Sequence, residues 1–179
     1  EKTDGYEQLK DIVLQTISRA LKTPVSSLSQ SFVSAHFGMT GGADYKERII
    51  REVVNAQYLS VGHDATIALF GATAGKAGIV VISGTGSFVY GENEKGENAR
   101  AGGLGYVFSD EGSGFWLAAQ IIRLAIKEQD GVIENTGLEK LVRDYFKVEK
   151  IRNLTTAFYN EKVTRGEIAG FAKVIQQVD

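Results

Sequence analysis

The sequence predicts an α/β protein made of two lobes. Segments with helical periodicity alternate with short apolar strands up to about Ser83, and a hairpin followed by helices comes after that point. Such alternation of strands and helices is typical of an α/β fold. The composition changes around residues 75–78, so we expect residues 1–76 to form part of one lobe and residues 77–179 part of a second.

The first half begins with an amphipathic helix, because apolar residues recur at helical spacing from Leu9 to Ala20 and Pro24 follows. The predicted elements are a helix over about residues 4–21, a strand over 31–36, a turn over 38–42, a helical stripe over 45–56, a strand over 58–61 and a helix over 64–75 that ends at a glycine.

The second half opens on Gly78–Ser83, an unbroken apolar run that is typical of a strand buried on both faces. The elements expected after it are a strand over 87–90, a polar hairpin tip over 91–100, a third strand or extended loop over 99–107, a long helix from about 111 and further helices from about 137. We expect Ser109 or Asp110 to cap the long helix.

Composition excludes several classes of function. The 20 basic and 22 acidic residues give a net charge of −2, which argues against nucleic-acid binding and against a polybasic membrane surface. No apolar run is long enough to cross a bilayer. The sequence has no cysteine and two histidines, so neither a thiolate metal site nor a multi-histidine site can form within it. We predict no resident metal ligands and a cytoplasmic location.

The segment ISGTGS places a sharp turn at the end of the apolar strand. Its backbone N–H groups can form a concave anion site, and the hydroxyls of Thr85 and Ser87 can add donors to a phosphate. Gly84, Thr85, Gly86 and Ser87 are therefore candidate phosphate ligands. A plain hairpin turn would also use these residues, and no Walker A motif occurs in the chain.

A second glycine-rich segment, GGLGYVFSDEGSG, carries two acidic residues before the long helix. Helix capping accounts for Asp110 and Glu111 taken alone. It does not account for the glycines around them, whereas a backbone that approaches a polar ligand closely does. Gly102, Gly103, Asp110 and Glu111 are accordingly candidate ligand-binding residues.

Asp64 follows a short strand and opens a helix. It could serve as a helix cap. Alternatively, it is a carboxylate at the carboxyl end of a strand, where α/β proteins place reactive groups, and it could accept the proton of an attacking hydroxyl.

Three segments in one order, VGHDATIALFGA, VVISGTGS and GGLGYVFSDEGSGFW, resemble the BadF/BadG/BcrA/BcrD ATPase family, which includes N-acetylglucosamine kinase. The resemblance implies a ribonuclease H-like ATPase fold of the actin and hexokinase type. It also implies ATP and Mg²⁺ as cofactors, a small sugar as substrate and a homodimer as an option.

The resemblance assigns roles to individual residues. It implies that Asp64 is the catalytic base of a sugar kinase, that Gly84–Ser87 contact the ATP phosphates, and that Gly102, Gly103, Asp110 and Glu111 help to bind the sugar. The family's first glycine-rich phosphate hairpin and its late adenosine-binding glycines are not found in this sequence. We therefore expect the sequence to carry the middle part of such an ATPase.

Two alternatives to a sugar kinase remain open within the same fold. Activators of 2-hydroxyacyl-CoA dehydratases in this family hold an iron–sulfur cluster with cysteines, which this sequence lacks, so the kinase branch is favoured. An ATPase that drives a partner enzyme, or a non-catalytic sugar-binding module, would use the same scaffold.

Overall fold

The structure is a computed structural model of the chain, and it describes residues 2–27, 31–39 and 43–175. The chain divides into two compact units, Glu1–Lys76 and Ala77–Asp179. Among the described residues, no helix is both long enough and apolar enough to cross a membrane.

The first unit is built on a pair of parallel strands. Its elements are helix α1 (Lys2–Leu21), a 3₁₀ turn (Val25–Ser27), strand β1 (Ser31–Gly38), helix α2 (Ala43–Val53), strand β2 (Asn55–Gly62) and helix α3 (Asp64–Thr73). β1 and β2 pair in parallel from Ser31 opposite Asn55 to Gly38 opposite Gly62. Helix α2 forms the crossover that parallel strands require.

The core of this unit lies between α1, α2 and the strand pair. Val13 of α1 packs with Ile50 and Val54, and partly buried residues of both strands surround them. The apolar spacing from Leu9 to Ile17 that predicted α1 is therefore the spacing that packs it into the core, whereas Ala20 is exposed. The helix predicted over residues 4–21 is confirmed as Lys2–Leu21.

The helical stripe predicted over residues 45–56 is too long. α2 ends at Val53, and Ala56 belongs to β2, where it lies opposite Phe32 of β1. Pairing with β1 outweighs the helical spacing of Ala56, which is a weak signal for a single residue. The turn predicted over residues 38–42 begins later, because Gly38 is the last residue of β1; its residues 40–42 lie outside the described part of the chain.

Helix α3 does not end directly at a glycine. Ala74 takes the left-handed conformation at its carboxyl end, with φ of 53°, and Gly75 follows with φ of 79°. The left-handed backbone that ends α3 therefore includes Ala74 as well as Gly75, whereas the sequence predicted a glycine alone at this position.

The second unit contains an antiparallel sheet and a group of helices. The strands are β3 (Gly78–Ser83), β4 (Ser87–Glu92) and β5 (Asn98–Gly102), in the order β3–β4–β5. The helices are α4 (Gly114–Gln129), α5 (Leu138–Phe146), α6 (Ile151–Tyr159), α7 (Arg165–Gly170) and α8 (Ala172–Ile175). Their core includes the fully buried Ala118, Val142 and Phe171.

β3 is not buried on both faces, contrary to the sequence prediction. Ile79 is 73% exposed and Val81 is 69% exposed. In the part of the chain that the structure describes, β3 pairs only with β4, and the face that Ile79 and Val81 share has no helix over it. The apolar run correctly predicted a strand, but it did not determine what covers each face.

Glu128 fastens the end of α4 to the start of α5. Its carboxylate accepts hydrogen bonds from Thr136 Oγ1 at 2.9 Å, Gly137 N at 3.0 Å and Glu139 N at 3.2 Å. Partial desolvation pushes the pKa of Glu128 up, but these hydrogen bonds outweigh it and hold the pKa below the ordinary value of 4.5.

Candidate functional site

The GTGS turn connects β3 to β4 and leaves two amide donors unused. Gly84 N donates to Gly86 O at 2.9 Å, which closes the turn between Ser83 and Ser87. In the described part of the chain, the N–H groups of Thr85 and Gly86 have no hydrogen-bond acceptor. Neighbouring free amide groups in a tight turn are a suitable site for an anion such as a phosphate.

The second glycine-rich segment is fixed to this turn by three hydrogen bonds. Ser83 Oγ donates to Gly112 O at 3.0 Å and Ser87 Oγ donates to Glu111 O at 2.7 Å. The amide of Gly114 donates to Gly84 O at 2.8 Å. The hydroxyl hydrogen of Ser87, a candidate phosphate donor, is therefore engaged in holding the two loops together.

Gly102 and Gly103 lie beside the same turn. Both have positive φ, 73° and 68°, and a Cβ on Gly102 would lie 3.7 Å from Ser87 O. Arg100 Nη2 donates to Gly103 O at 2.7 Å, and its guanidinium lies 5.0 Å from the ring centroid of Phe88. The end of β5 is thus held against the start of β4.

Asp110 is the most unusual residue of this site. It is 5% exposed and has φ of 66°, a conformation that non-glycine residues rarely adopt. None of the described residues donates a hydrogen bond to its carboxylate. The carboxylate oxygens are not themselves fully buried, so a ligand that brings hydroxyl or amide donors can reach them.

Asp110 does not cap α4, and neither does Ser109. The cap is Ser113, whose fully buried hydroxyl accepts a hydrogen bond from Trp116 N at 3.1 Å. α4 accordingly begins at Gly114, three residues later than the sequence suggested. Capping by Ser113 leaves the Asp110 side chain available for another role.

A cavity of about 450 Å³ opens beside the turn. One side is formed by the turn and the segment before α4, and the other by α7 and α8; its residues include Gly84, Thr85, Gly112, Gly166, Gly170 and Lys173. The glycines let a ligand approach the backbone closely, and Lys173 supplies a cation at the cavity. Sequence reasoning missed this second wall, because α7 and α8 contain no recognisable motif.

Asp64 lies in the first unit, at the carboxyl end of the parallel strands. It is the first residue of α3, whose N-cap is His63. Its Oδ1 accepts a hydrogen bond from Ala65 N at 2.9 Å and lies 3.1 Å from His63 Nδ1. The Asp64 side chain is 31% exposed.

The structure therefore brings together every candidate residue of the second unit. The members of this cluster are Gly84, Thr85, Gly86, Ser87, Gly102, Gly103, Asp110 and Glu111. Their ligand contacts remain predictions, as does the catalytic role of Asp64. Among the described residues, no group of three acidic, histidine or cysteine side chains could hold a metal ion.

Comparison with a solved structure defines the class of protein. The chain matches the crystal structure of a protein from Chromobacterium violaceum, provisionally assigned as an N-acetylglucosamine kinase, with a TM-score of 0.79 and 25% identity. The match covers 99% of this chain and 63% of that protein. The predicted α/β fold of the actin and hexokinase type is thus confirmed. The sequence model of the BadF/BadG/BcrA/BcrD ATPase family matches residues 1–177, so the chain belongs to that family.

Two curated relatives are similar over a large part of the chain. The N-acetylmuramic acid/N-acetylglucosamine kinase of Clostridium acetobutylicum is 37% identical over 175 residues, covering 94% of this chain. The N-acetyl-D-glucosamine kinase of Dictyostelium discoideum is 35% identical over 104 residues, covering 58%. The chain spans 56% of the length of the first relative and 33% of the second.

Proposed function

We propose that the chain works in an ATP-dependent kinase that phosphorylates N-acetylglucosamine or a related amino sugar. The observation that carries this proposal is the direct hydrogen bonding between a turn with free amide donors and a loop in which a buried residue, Asp110, has an unpartnered carboxylate. Such an arrangement can hold a phosphate and a polyhydroxylated ligand close to each other. The names of the two curated relatives support the same substrate class.

The phosphate end of ATP meets the turn in this proposal. The N–H groups of Thr85 and Gly86 donate to phosphate oxygens, and the Thr85 hydroxyl adds a third donor. The rest of the nucleotide extends into the adjoining cavity, where Lys173 offsets part of its negative charge.

The sugar binds at Asp110 and the neighbouring loop. The carboxylate of Asp110 accepts hydrogen bonds from two sugar hydroxyls, which supply the donors that the protein does not. Gly102 and Gly103 allow the loop to pack closely on Phe88 next to the turn, which places it for the sugar, and Glu111 adds acceptors at the rim.

Asp64 acts as the general base. It removes the proton of the attacking sugar hydroxyl as the new oxygen–phosphorus bond forms, and ADP leaves as the bond to the γ-phosphoryl group breaks. Mg²⁺ would arrive bound to the nucleotide and neutralise phosphate charge, because such an ion takes most of its ligands from phosphates and water. We propose a cytoplasmic location, where ATP is abundant. A homodimer is the assembly to test by measuring the molecular mass in solution.

ADP release from the full-length protein tests the proposal. The reaction is run with Mg-ATP and a panel that includes N-acetylglucosamine, N-acetylmuramic acid, glucosamine and glucose. We expect strong, saturable stimulation by one N-acetylated sugar. The variant Asp110→Asn keeps the size of the side chain and suits positive φ, and it should raise KM for the sugar by about tenfold or more. ADP release that no sugar changes, but that a partner protein raises, would replace the kinase with a partner-driven ATPase.

A further inference from the structure

Tyr106 lies between two other side chains in the middle of the glycine-rich loop. Its ring centroid is 4.9 Å from that of Phe115, with the two planes at 69°, an edge-to-face arrangement. On another side, the guanidinium carbon of Arg165 lies 5.3 Å from the Tyr106 ring centroid, which is cation–π distance. We call these three residues the Tyr106 stack.

The Tyr106 stack joins three segments that are distant in sequence. Tyr106 lies between the glycines and Asp110 of the loop, Phe115 is the second residue of α4, and Arg165 is the first residue of α7. The residue after Arg165 is Gly166, and α7 thereby forms one wall of the cavity beside the turn. The stack therefore connects the loop proposed for the sugar with the wall proposed for the nucleotide.

Tyr106 adds side-chain contacts to a loop that hydrogen bonds already hold against the turn. Like its apolar neighbours Leu104, Val107 and Phe108, Tyr106 is exposed, at 41%, but its ring packs on Phe115. In the described part of the chain, no acidic side chain lies within ion-pair distance of Arg165. The carboxylate nearest in sequence, Glu167, is already engaged in a capping box with Thr164. Among the described residues, the guanidinium of Arg165 therefore interacts with the ring of Tyr106 and not with a carboxylate.

We propose that Tyr106 and Arg165 are positioning residues that make sugar binding and nucleotide binding cooperative. The inference rests on the proposed function. A nucleotide in the cavity fixes α7, and α7 fixes Tyr106 through Arg165. The loop is then restricted beyond what its hydrogen bonds to the turn achieve, so the sugar binds more tightly with nucleotide present than without it.

Calorimetric titration of the full-length protein with N-acetylglucosamine, with and without a non-hydrolysable ATP analogue, measures this cooperativity directly. We expect the analogue to tighten sugar binding in the wild type. Arg165→Ala should reduce that tightening by about two- to fivefold, the range of an exposed cation–π contact. The affinity for each ligand alone should change little.

Three variants control the measurement. Arg165→Lys keeps a cation over the ring and should retain most of the cooperativity, while Tyr106→Phe keeps the ring and should retain it as well. Arg152→Ala removes an exposed arginine of α6 and should have no effect. If Arg165→Ala proves unstable, Tyr106→Leu removes the ring while keeping apolar volume and carries the test instead.

The outcomes separate the two proposals. A wild type that binds no amino sugar overturns both. A wild-type kinase whose cooperativity survives Arg165→Ala and Tyr106→Leu overturns the positioning role alone. Loss of cooperativity in those variants, with recovery in Arg165→Lys, supports it, because a purely structural defect would lower both affinities together.

Discussion

Substituting Gly86 by alanine tests whether the turn and the buried carboxylate are packed as described. A Cβ on Gly86 would lie 2.9 Å from Oδ2 and 3.3 Å from Cγ of Asp110. Asp110 has little freedom to move away, because its side chain is almost completely buried and its backbone has positive φ. The added methyl group therefore overpacks the junction of the two loops.

Overpacking of this kind costs about 1–3 kcal/mol. With a urea slope of about 2 kcal/mol/M, a cost of about 2 kcal/mol lowers the unfolding midpoint by about 1 M without changing the slope. The fluorescence of Trp116, the single tryptophan of the sequence, reports on this unit because it lies in the first turn of α4.

Two further variants show whether Asp110 is the cause. Gly84→Ala lies in the same turn and would meet nothing within 4 Å, so its midpoint should stay close to that of the wild type. Asp110→Gly removes the obstructing carboxylate and tolerates positive φ. In that background, Gly86→Ala should cost less than about 0.5 kcal/mol. An equal cost in both backgrounds would refute the packing described here.

Further predictions concern the base, the helix cap and the loop fastened by Glu128. Asp64→Asn should lower turnover by about 10²–10⁴-fold in the ADP assay, because the amide cannot act as a base. Sugar affinity should be kept, because the amide oxygen can still accept the hydrogen bond from Ala65 N. Normal turnover in this variant would show that Asp64 is not the base. Ser113→Ala should lower the free energy of unfolding by about 1 kcal/mol through loss of the cap, and an unchanged urea midpoint would contradict this. The folded-state pKa of Glu128 lies below its unfolded value, so its stabilising contribution is complete above about pH 4.5 and is lost as pH falls through the folded pKa. Glu128→Gln should therefore flatten the acid limb of stability measured against pH, and parallel acid limbs would rule out this contribution.

The sequence predicted elements best where one local pattern decides them. The spacing of Val13 and its apolar neighbours predicted α1, and the apolar run predicted β3. The position of Ala56 in β2, and not in α2, was not predictable in this way, because it is decided by pairing with a strand more than twenty residues earlier. The exposure of Ile79 and Val81 was likewise missed, since burial depends on what lies over a face.

The candidate site was predicted as two separate motifs, and their union came only from the structure. Both hydroxyl bonds that join them span more than twenty residues of sequence, so neither motif contains a sign of its partner. Asp110 had a plausible local role as a cap. The structure gives that role to Ser113, whose position directly before the apolar start of α4 was the available signal.

The open face of β3 affects how the protein behaves at high concentration. An apolar strand with an unpaired edge is a template for a strand of another molecule. Light scattering from this chain should therefore rise with concentration faster than it does for a variant with Val81→Lys, since lysine is a residue with which natural proteins protect such edges. Val81 lies three residues before Gly84, the first residue of the turn, on a face that no helix covers in the described part of the chain, so solubility can be adjusted there separately from ligand binding.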